Sequence, residues 1–213
     1  MALNNPLFDQ QNVRAKRLFD LSIIFLTFPL LFPFMLLIWL LLKVTGSHAP
    51  IFSQKRIGQD GKEFSFFKFR TMVKNADDIL KKWISHHPDI KIEFERKFKL
   101  RGDPRVTHFG QFLRRTSLDE LPQIFNIIKG DMSLVGPRPI VPNEIPKYGI
   151  HAKQVFRVKP GLTGLWQVSG RNDVSYERRV KLDLVYIKKW SLWLDFVILF
   201  RTFRAVLNGK GAY

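Results

Sequence analysis

Two carboxylates stand side by side at Asp119 and Glu120, inside the stretch SLDELPQIFNIIKGDMSLVGPRP at residues 117–139. Arg114 and Arg115 lie just upstream, and Arg138 sits between two prolines downstream. These residue types suit phosphoryl chemistry. A carboxylate can attack phosphorus and form an acyl phosphate. Guanidinium forks grip phosphate oxygens in pairs, and flanking prolines would fix the direction of the Arg138 fork. A Mg²⁺ held by carboxylate oxygens would shield the approaching negative charges. The same acids also have a structural reading. Ser117-x-x-Glu120 has the form of a helix capping box, and acids are favourable in a first helical turn. Pro122 complicates it, because proline prefers the first helical position. The helix can then start at Pro122, with both acids on its approach. Sequence alone leaves both readings open.

The composition sets the frame for that site. The 213 residues carry 35 Lys and Arg against 18 Asp and Glu, a net charge of +17. Such a surplus calls for an anionic partner: nucleic acid, acidic lipid headgroups or a phosphorylated substrate. Cysteine is absent, which excludes disulfides and thiolate zinc sites. The five histidines show no HxxxH or HExxH spacing, so a metal falls to Asp and Glu, whose hard oxygens suit Mg²⁺. Hydrophobic residues make up 46% of the chain and include 20 Phe, which argues against disorder. Those rings need a core or a lipid phase.

The elements that must position the site begin with an uncharged run, LSIIFLTFPLLFPFMLLIWLLL, at residues 21–42. It is long enough to span a bilayer core, and too long for a secretory signal. A single membrane span is one reading. Pro29 and Pro33 support another, because each costs ~3 kcal/mol or more inside a helix and lipid offers no water to repair the lost bond. A break there leaves halves of about a dozen residues, roughly 18 Å each, which reach one leaflet deep. The flanks agree: Arg14, Lys16 and Arg17 precede the run and Lys43, Lys55 and Arg56 follow it. A helix that turns back keeps both basic flanks on the cytoplasmic side. Asp20 is then expected at the interface, paired with Arg17.

Further on, Ile51–Ile57 and residues 63–70 read as strands joined at the hairpin signal Asp60-Gly61. Lys68 and Arg70 on the second strand either line a solvated face or face a diphosphate. Residues 75–85, 90–100 and 108–115 read as helices. Ser175 can cap a helix through Lys189. Residues 193–207 form a last helix, apolar with Arg201 and Arg204, that fits either the headgroup level or an ordinary core. In KPGLTGLWQVSGR, Gly161, Gly164 and Gly170 permit tight turns and close backbone approach. The loop ends at Arg171; contact with uridine or diphosphate and a plain structural loop both remain open. Asp183 falls on a mostly apolar helix side with Tyr176, Val180, Ile187 and Trp190, and so needs a partner; the structural choice is Arg179, four residues back.

RGDPRVTHFGQFLRRTSLDELPQIFNIIKGDMSLVGPRP and RVKPGLTGLWQVSGRN resemble the signature blocks of the bacterial sugar transferase family. The resemblance covers nearly the whole chain, from KRLFDLSIIF at Lys16 to the closing GAY. Members are monotopic phosphoglycosyl transferases that act on polyprenyl phosphate. The resemblance implies transfer of a sugar 1-phosphate from a UDP-sugar to undecaprenyl phosphate, through an aspartyl-phosphosugar, with release of UMP. This would be the first membrane step of surface polysaccharide or glycoconjugate synthesis. It implies Asp119 as nucleophile, Glu120 beside it with Mg²⁺, Arg138 as a phosphate-binding residue, and Asp183, in KLDLVYIKKW, as a further essential acid. The expected metal set is thus Asp119, Glu120 and Asp183. Lys68, Arg70, Arg114, Arg115 and Arg171 complete the expected substrate-binding set.

The fold expected is α+β: a mainly helical cytosolic domain with a small β-hairpin, anchored by a proline-broken re-entrant helix and by interfacial amphipathic helices. Residues 14–43 would form the re-entrant helix, broken at Pro33, and residues 44–213 the catalytic domain on the cytoplasmic side of the bacterial inner membrane. Some relatives have Ser before that proline, where this chain has Phe32. Larger relatives carry an extra N-terminal membrane domain, and this chain is expected to be the compact form. Anionic lipids are expected partners, and a homo-oligomer is compatible with the sequence. GAY resembles the ending of galactose-phosphate transferring relatives, with glucose close behind. The alternative is a membrane-tethered nucleic-acid-binding protein. No nucleic acid is expected as a partner, because no such binding motif appears and Asp119, Glu120 and Asp183 would have no task.

Overall fold

The computed structural model describes residues 6–45, 49–86, 100, 102–170 and 174–207. The expected helix at residues 90–100 and Arg171 lie outside them, apart from Leu100. The apolar run forms α1 (Gln10–Val44), started by the Asp9 carboxylate, which accepts the Gln11 N–H at 2.9 Å. At 1.5 Å per residue it is about 52 Å long. It is long and apolar enough to cross a membrane. The expected break does not divide it: Pro29 and Pro33 both lie inside one helical element. A proline removes one bond and bends a helix, while the turns on either side keep their own bonds. Burial along α1 is uneven. Lys16, Asp20 and Ile24 are buried before the prolines and Met35, Ile38 and Leu42 after them, whereas residues 25–34 hold no buried side chain.

The hairpin forms where its turn signal placed it. Strands β1 (Ile51–Ile57) and β2 (Glu63–Phe69) pair antiparallel, with Arg56 opposite Phe64 and Phe52 opposite Lys68. Asp60 and Gly61 take φ of +56° and +75° in the turn. Helix α2 (Ala76–His86) follows, then α3 (His108–Arg115), whose Thr107 hydroxyl caps the Gly110 N–H at 2.9 Å. A Cβ at Gly110 would stand 2.1 Å from the Thr71 carbonyl oxygen, so only glycine lets α3 meet the end of the hairpin this closely. A 3₁₀ turn at Leu118–Glu120 leads into α4 (Gln123–Lys129). Its buried Asn126 clamps the hairpin: Oδ1 accepts the Phe67 N–H at 3.1 Å and Nδ2 donates to the Ser65 carbonyl at 2.6 Å.

A second sheet joins β3 (Ser133–Val135) to β4 (Gly161–Thr163) in parallel, with the short helices α5 (Ile145–Tyr148) and α6 (Ala152–Val155) in the crossover. Here the glycines of the two signature blocks touch. A Cβ on Gly161 would stand 2.0 Å from the Gly136 nitrogen, and one on Gly164 would stand 2.4 Å from the Gly136 oxygen. Their close backbone approach is to the Gly-Pro-Arg-Pro turn itself, which they hold in place. Helices α7 (Tyr176–Lys189) and α8 (Leu192–Leu207) close the fold.

A buried polar node locks α1 to this domain. Lys16 Nζ donates to Asp195 Oδ2 at 2.6 Å, Trp190 Nε1 donates to the same oxygen at 3.0 Å, and the Tyr186 hydroxyl lies 2.8 Å from Asp195 Oδ1. One turn along α1, Asp20 accepts the Ser133 hydroxyl at 2.7 Å and the Leu134 N–H at 3.3 Å. The interfacial Asp20–Arg17 pair expected from the sequence does not form; Asp20 is buried on Ser133 and Leu134. Arg17 instead donates to the carbonyls of Ile127 and Ile128 at the end of α4, where the helix dipole favours a positive charge. Helix α8 has a buried side and an exposed one. Asp195 and Ile198 are buried in the core, while Trp193, Phe196, Phe200 and Phe203 form an exposed aromatic stripe.

Candidate active site

Asp119 and Glu120 do not cap a helix. Ser117 takes the left-handed conformation, with φ +58°, and makes no side-chain cap bond. A non-glycine residue there costs roughly 1–2 kcal/mol. The turn instead delivers both acids to β2. Lys68 Nζ bridges them, 2.7 Å from Glu120 Oε1 and 3.4 Å from Asp119 Oδ2. Asp119 is only 6% exposed, whereas 37% of the Glu120 side chain meets solvent. Burial holds the Asp119 carboxyl above the usual aspartate range; Lys68 opposes this and Glu120 adds to it. Burial also works against the Lys68 charge, but Glu120 and Asp119 outweigh it and hold the ammonium above the ordinary lysine value. A buried carboxylate of raised basicity, kept ionised by an adjacent ammonium, is what nucleophilic attack by an acid requires.

Arg114 is fixed by Nε donation to the Thr71 hydroxyl at 2.9 Å, and its charge acts on Asp119. Burial depresses its own pKa. The structure thus gathers Lys68, Arg114, Asp119 and Glu120. Arg138 enters from the turn after β3, close enough for its charge to lower the Lys68 pKa. Two expected residues make no hydrogen bond to the acid pair among the described residues. Arg70 donates Nε to the Ala49 carbonyl at 2.7 Å and lies over the Phe52 ring, and Arg115 is exposed at the end of α3.

Asp183 is 1% exposed on α7, and the Tyr148 hydroxyl donates to its Oδ2 at 3.3 Å. Burial drives its carboxyl well above the usual range, against the opposing effects of Tyr148 and Arg138. Its side-chain hydrogen-bond partner is Tyr148, and the Arg138 backbone N–H also acts on it; the expected Arg179 donates Nε to the Val174 carbonyl instead, at 3.0 Å. Among the described residues, no three acidic or imidazole side chains gather as a metal-ligand set, so Asp183 does not join the acid pair. Asp119 and Glu120 by themselves fit a Mg²⁺ that completes its shell with water and substrate phosphate, since this hard ion commonly takes only one or two protein carboxylates.

Sequence reading missed Arg56, Tyr148, Trp166 and the placement of Arg179. Arg56 and Lys68 both lie over the Phe66 ring, at 5.4 and 5.7 Å. That signal was available: a hairpin turning at Asp60-Gly61 puts residues 56, 66 and 68 on one face by strand alternation. Arg138 and Arg179 both lie over the Trp166 ring, at 5.8 and 4.7 Å. No sequence spacing links those three.

The fold defines an α+β, mostly helical protein with small sheets and one apolar helix suited to a membrane. Residues 11–209 match the bacterial sugar transferase family, and the chain belongs to it. It is 46% identical over 214 residues to an undecaprenyl-phosphate galactose phosphotransferase of Salmonella typhimurium, and 40% identical over 223 residues to a UDP-glucose:undecaprenyl-phosphate glucose-1-phosphate transferase of Klebsiella pneumoniae. These alignments cover 100% and 98% of this chain but 44% of each relative. The exopolysaccharide production protein ExoY of Rhizobium meliloti is 46% identical over 199 residues, which cover 93% of this chain and 88% of that relative.

Proposed function

We propose that the chain transfers a sugar 1-phosphate from a UDP-sugar to undecaprenyl phosphate and so starts the assembly of a surface polysaccharide. The observation that carries this reading is the lysine-bridged acid pair, which stands beside Arg114 and Arg138 in a chain anchored by an apolar helix. Asp119 attacks the sugar-bearing phosphorus, forming an Asp119 Oδ–P bond while the diphosphate P–O bond breaks and UMP leaves with its electron pair. An oxygen of the lipid phosphate then attacks the same phosphorus and expels the Asp119 carboxylate. Lys68 keeps Asp119 ionised for the first step and receives it back in the second. Arg114 and Arg138 hold phosphate oxygens. A Mg²⁺ on Asp119 and Glu120 would supply charge neutralisation between carboxylate and phosphate.

The membrane reading rests on α1. Burial at both ends and exposure around Pro29 and Pro33 is the pattern of a helix that leaves the domain, bends at the prolines and returns. We read it as re-entrant over residues 14–43, with residues 44–213 on the cytoplasmic face. The exposed aromatic stripe of α8 lies at headgroup level, with Arg201 and Arg204 toward anionic lipid. The test is a labelled adduct. Protein incubated with a UDP-sugar labelled in the sugar should retain label and release UMP, and Asp119→Asn should retain none. Label that persists in this variant removes Asp119 as nucleophile.

A further inference from the structure

Three arginines meet around the Gly-Pro-Arg-Pro turn, and only Arg138 has a task so far. Arg56 reaches the turn from β1, donating Nη1 to the Pro139 carbonyl at 3.3 Å and Nη2 to Gln54 Oε1 at 2.9 Å. Arg179 reaches it from α7 and shares the Trp166 ring with Arg138. Among the described residues, the Arg138 guanidinium makes no hydrogen bond or ion pair. The charges are poorly matched. Glu144 is the one carboxylate paired to these arginines, 3.7 Å from Arg56, and its Oε2 also accepts the Val141 N–H at 3.1 Å. Two further acids lie near: Glu120, whose charge acts on Arg56, and the buried Asp183, whose Oδ2 accepts from Tyr148 while its Oδ1 has no hydrogen-bond partner among the described side chains. Burial and the Arg138 charge push Arg56 down to about 10 and lower Arg179 as well. Among the described residues, Arg56 Nε and the indole Nε1 of Trp166, a residue only 3% exposed, are buried donors without a partner.

Among the described residues only Arg56 has a carboxylate within ion-pair distance, so the cluster keeps positive charge that a phosphate group would neutralise. Fork donors around an aromatic ring, with buried donors unsatisfied, match its oxygens. We propose that Arg56 and Arg179 join Arg138 in a seat for a phosphate monoester dianion, beside the phosphorus that Asp119 attacks. The inference rests on the transferase reading, in which two such groups occur: the phosphate of the departing nucleotide and that of the incoming lipid.

The test measures binding, so it does not depend on turnover. Purified full-length protein in nanodiscs is titrated with UMP and with farnesyl phosphate, as wild type, Arg56→Gln, Arg179→Gln and Arg179→Lys. The Gln variants should raise Kd by about tenfold or more, and Lys should restore only part, because it keeps the charge and loses the fork. Weakening toward UMP alone assigns the seat to the nucleotide, weakening toward farnesyl phosphate alone assigns it to the lipid, and weakening toward both makes it shared. Values within about twofold of wild type for both ligands overturn the proposal. If the variants do not fold, phenylglyoxal labelling of the wild type replaces them. A bound monoester should protect Arg138 and Arg179, and unchanged labelling overturns the proposal. If wild type binds both ligands but transfers no sugar phosphate, the transferase reading fails while the seat stands.

Discussion

Replacing Lys68 with methionine keeps the length and apolar stem of the side chain and removes the charge between the two acids. At 3.4 Å and an effective dielectric of about 20, the Lys68–Asp119 attraction is about 5 kcal/mol before desolvation is counted. Breaking a fully buried pair costs about 3–5 kcal/mol. Lys68 keeps 28% of its side chain in solvent, so the expected loss is smaller, about 2–3 kcal/mol near neutral pH. For a chain of this size that is a fall in Tm of about 4–12 °C. The pH dependence makes the test specific. The Asp119 carboxyl already titrates above its unfolded value. Such a group contributes stability that is fully present below the unfolded pKa and is lost as pH rises through the folded one. Without Lys68 the folded value rises further. The deficit of Lys68→Met should therefore be largest at neutral pH and shrink as the medium is made acid enough to protonate Asp119. Tryptophan fluorescence melts in detergent across that range read it directly, and the acid limb of kcat/KM should move to higher pH in the same variant. Equal Tm values at neutral pH, or a deficit that is the same in acid, would refute this electrostatic account.

Three other outcomes follow from the packing. Asp195→Asn removes the negative charge facing Lys16 in the buried node and should cost about 3–5 kcal/mol in thermal unfolding; a loss under about 1 kcal/mol would mean the node does not anchor α1. Gly161→Ala drives a Cβ to within 2.0 Å of the Gly136 backbone, and should cost at least about 1–3 kcal/mol and most of the activity, since the Arg138 turn must shift. Cysteines placed at positions 10 and 48 should react with an impermeant thiol reagent from the cytoplasmic side alone, and labelling from opposite faces would rule out the re-entrant geometry.

Much of this protein was legible because the signals are local. The hairpin followed from its turn dipeptide, α3 ran over residues 108–115 as read, and the acid pair and Arg138 stood out by residue type within one short stretch. Long signature blocks gave the family, which the match over residues 11–209 establishes. The choice between a capping box and a reactive pair was not local. Both depend on the same four residues, and Ser117 adopting the left-handed region removes the cap, because the turn then swings the acids to a lysine some fifty residues earlier in the chain.

The sequence by itself determined the chemistry available: carboxylates, arginines, no thiols, a large positive surplus and an apolar segment interrupted by prolines. These are properties of residue types and near-neighbour spacing. Only the tertiary structure decided which charges meet. It took Asp20 out of the interface and into the core, tied Arg70 to the Ala49 carbonyl, set Tyr148 on Asp183, and brought Arg56 and Arg179 to Arg138. The reason is that a buried charge takes its energy from whatever the fold places within a few ångströms, and neighbours contributed by different strands and helices leave no periodicity in the chain.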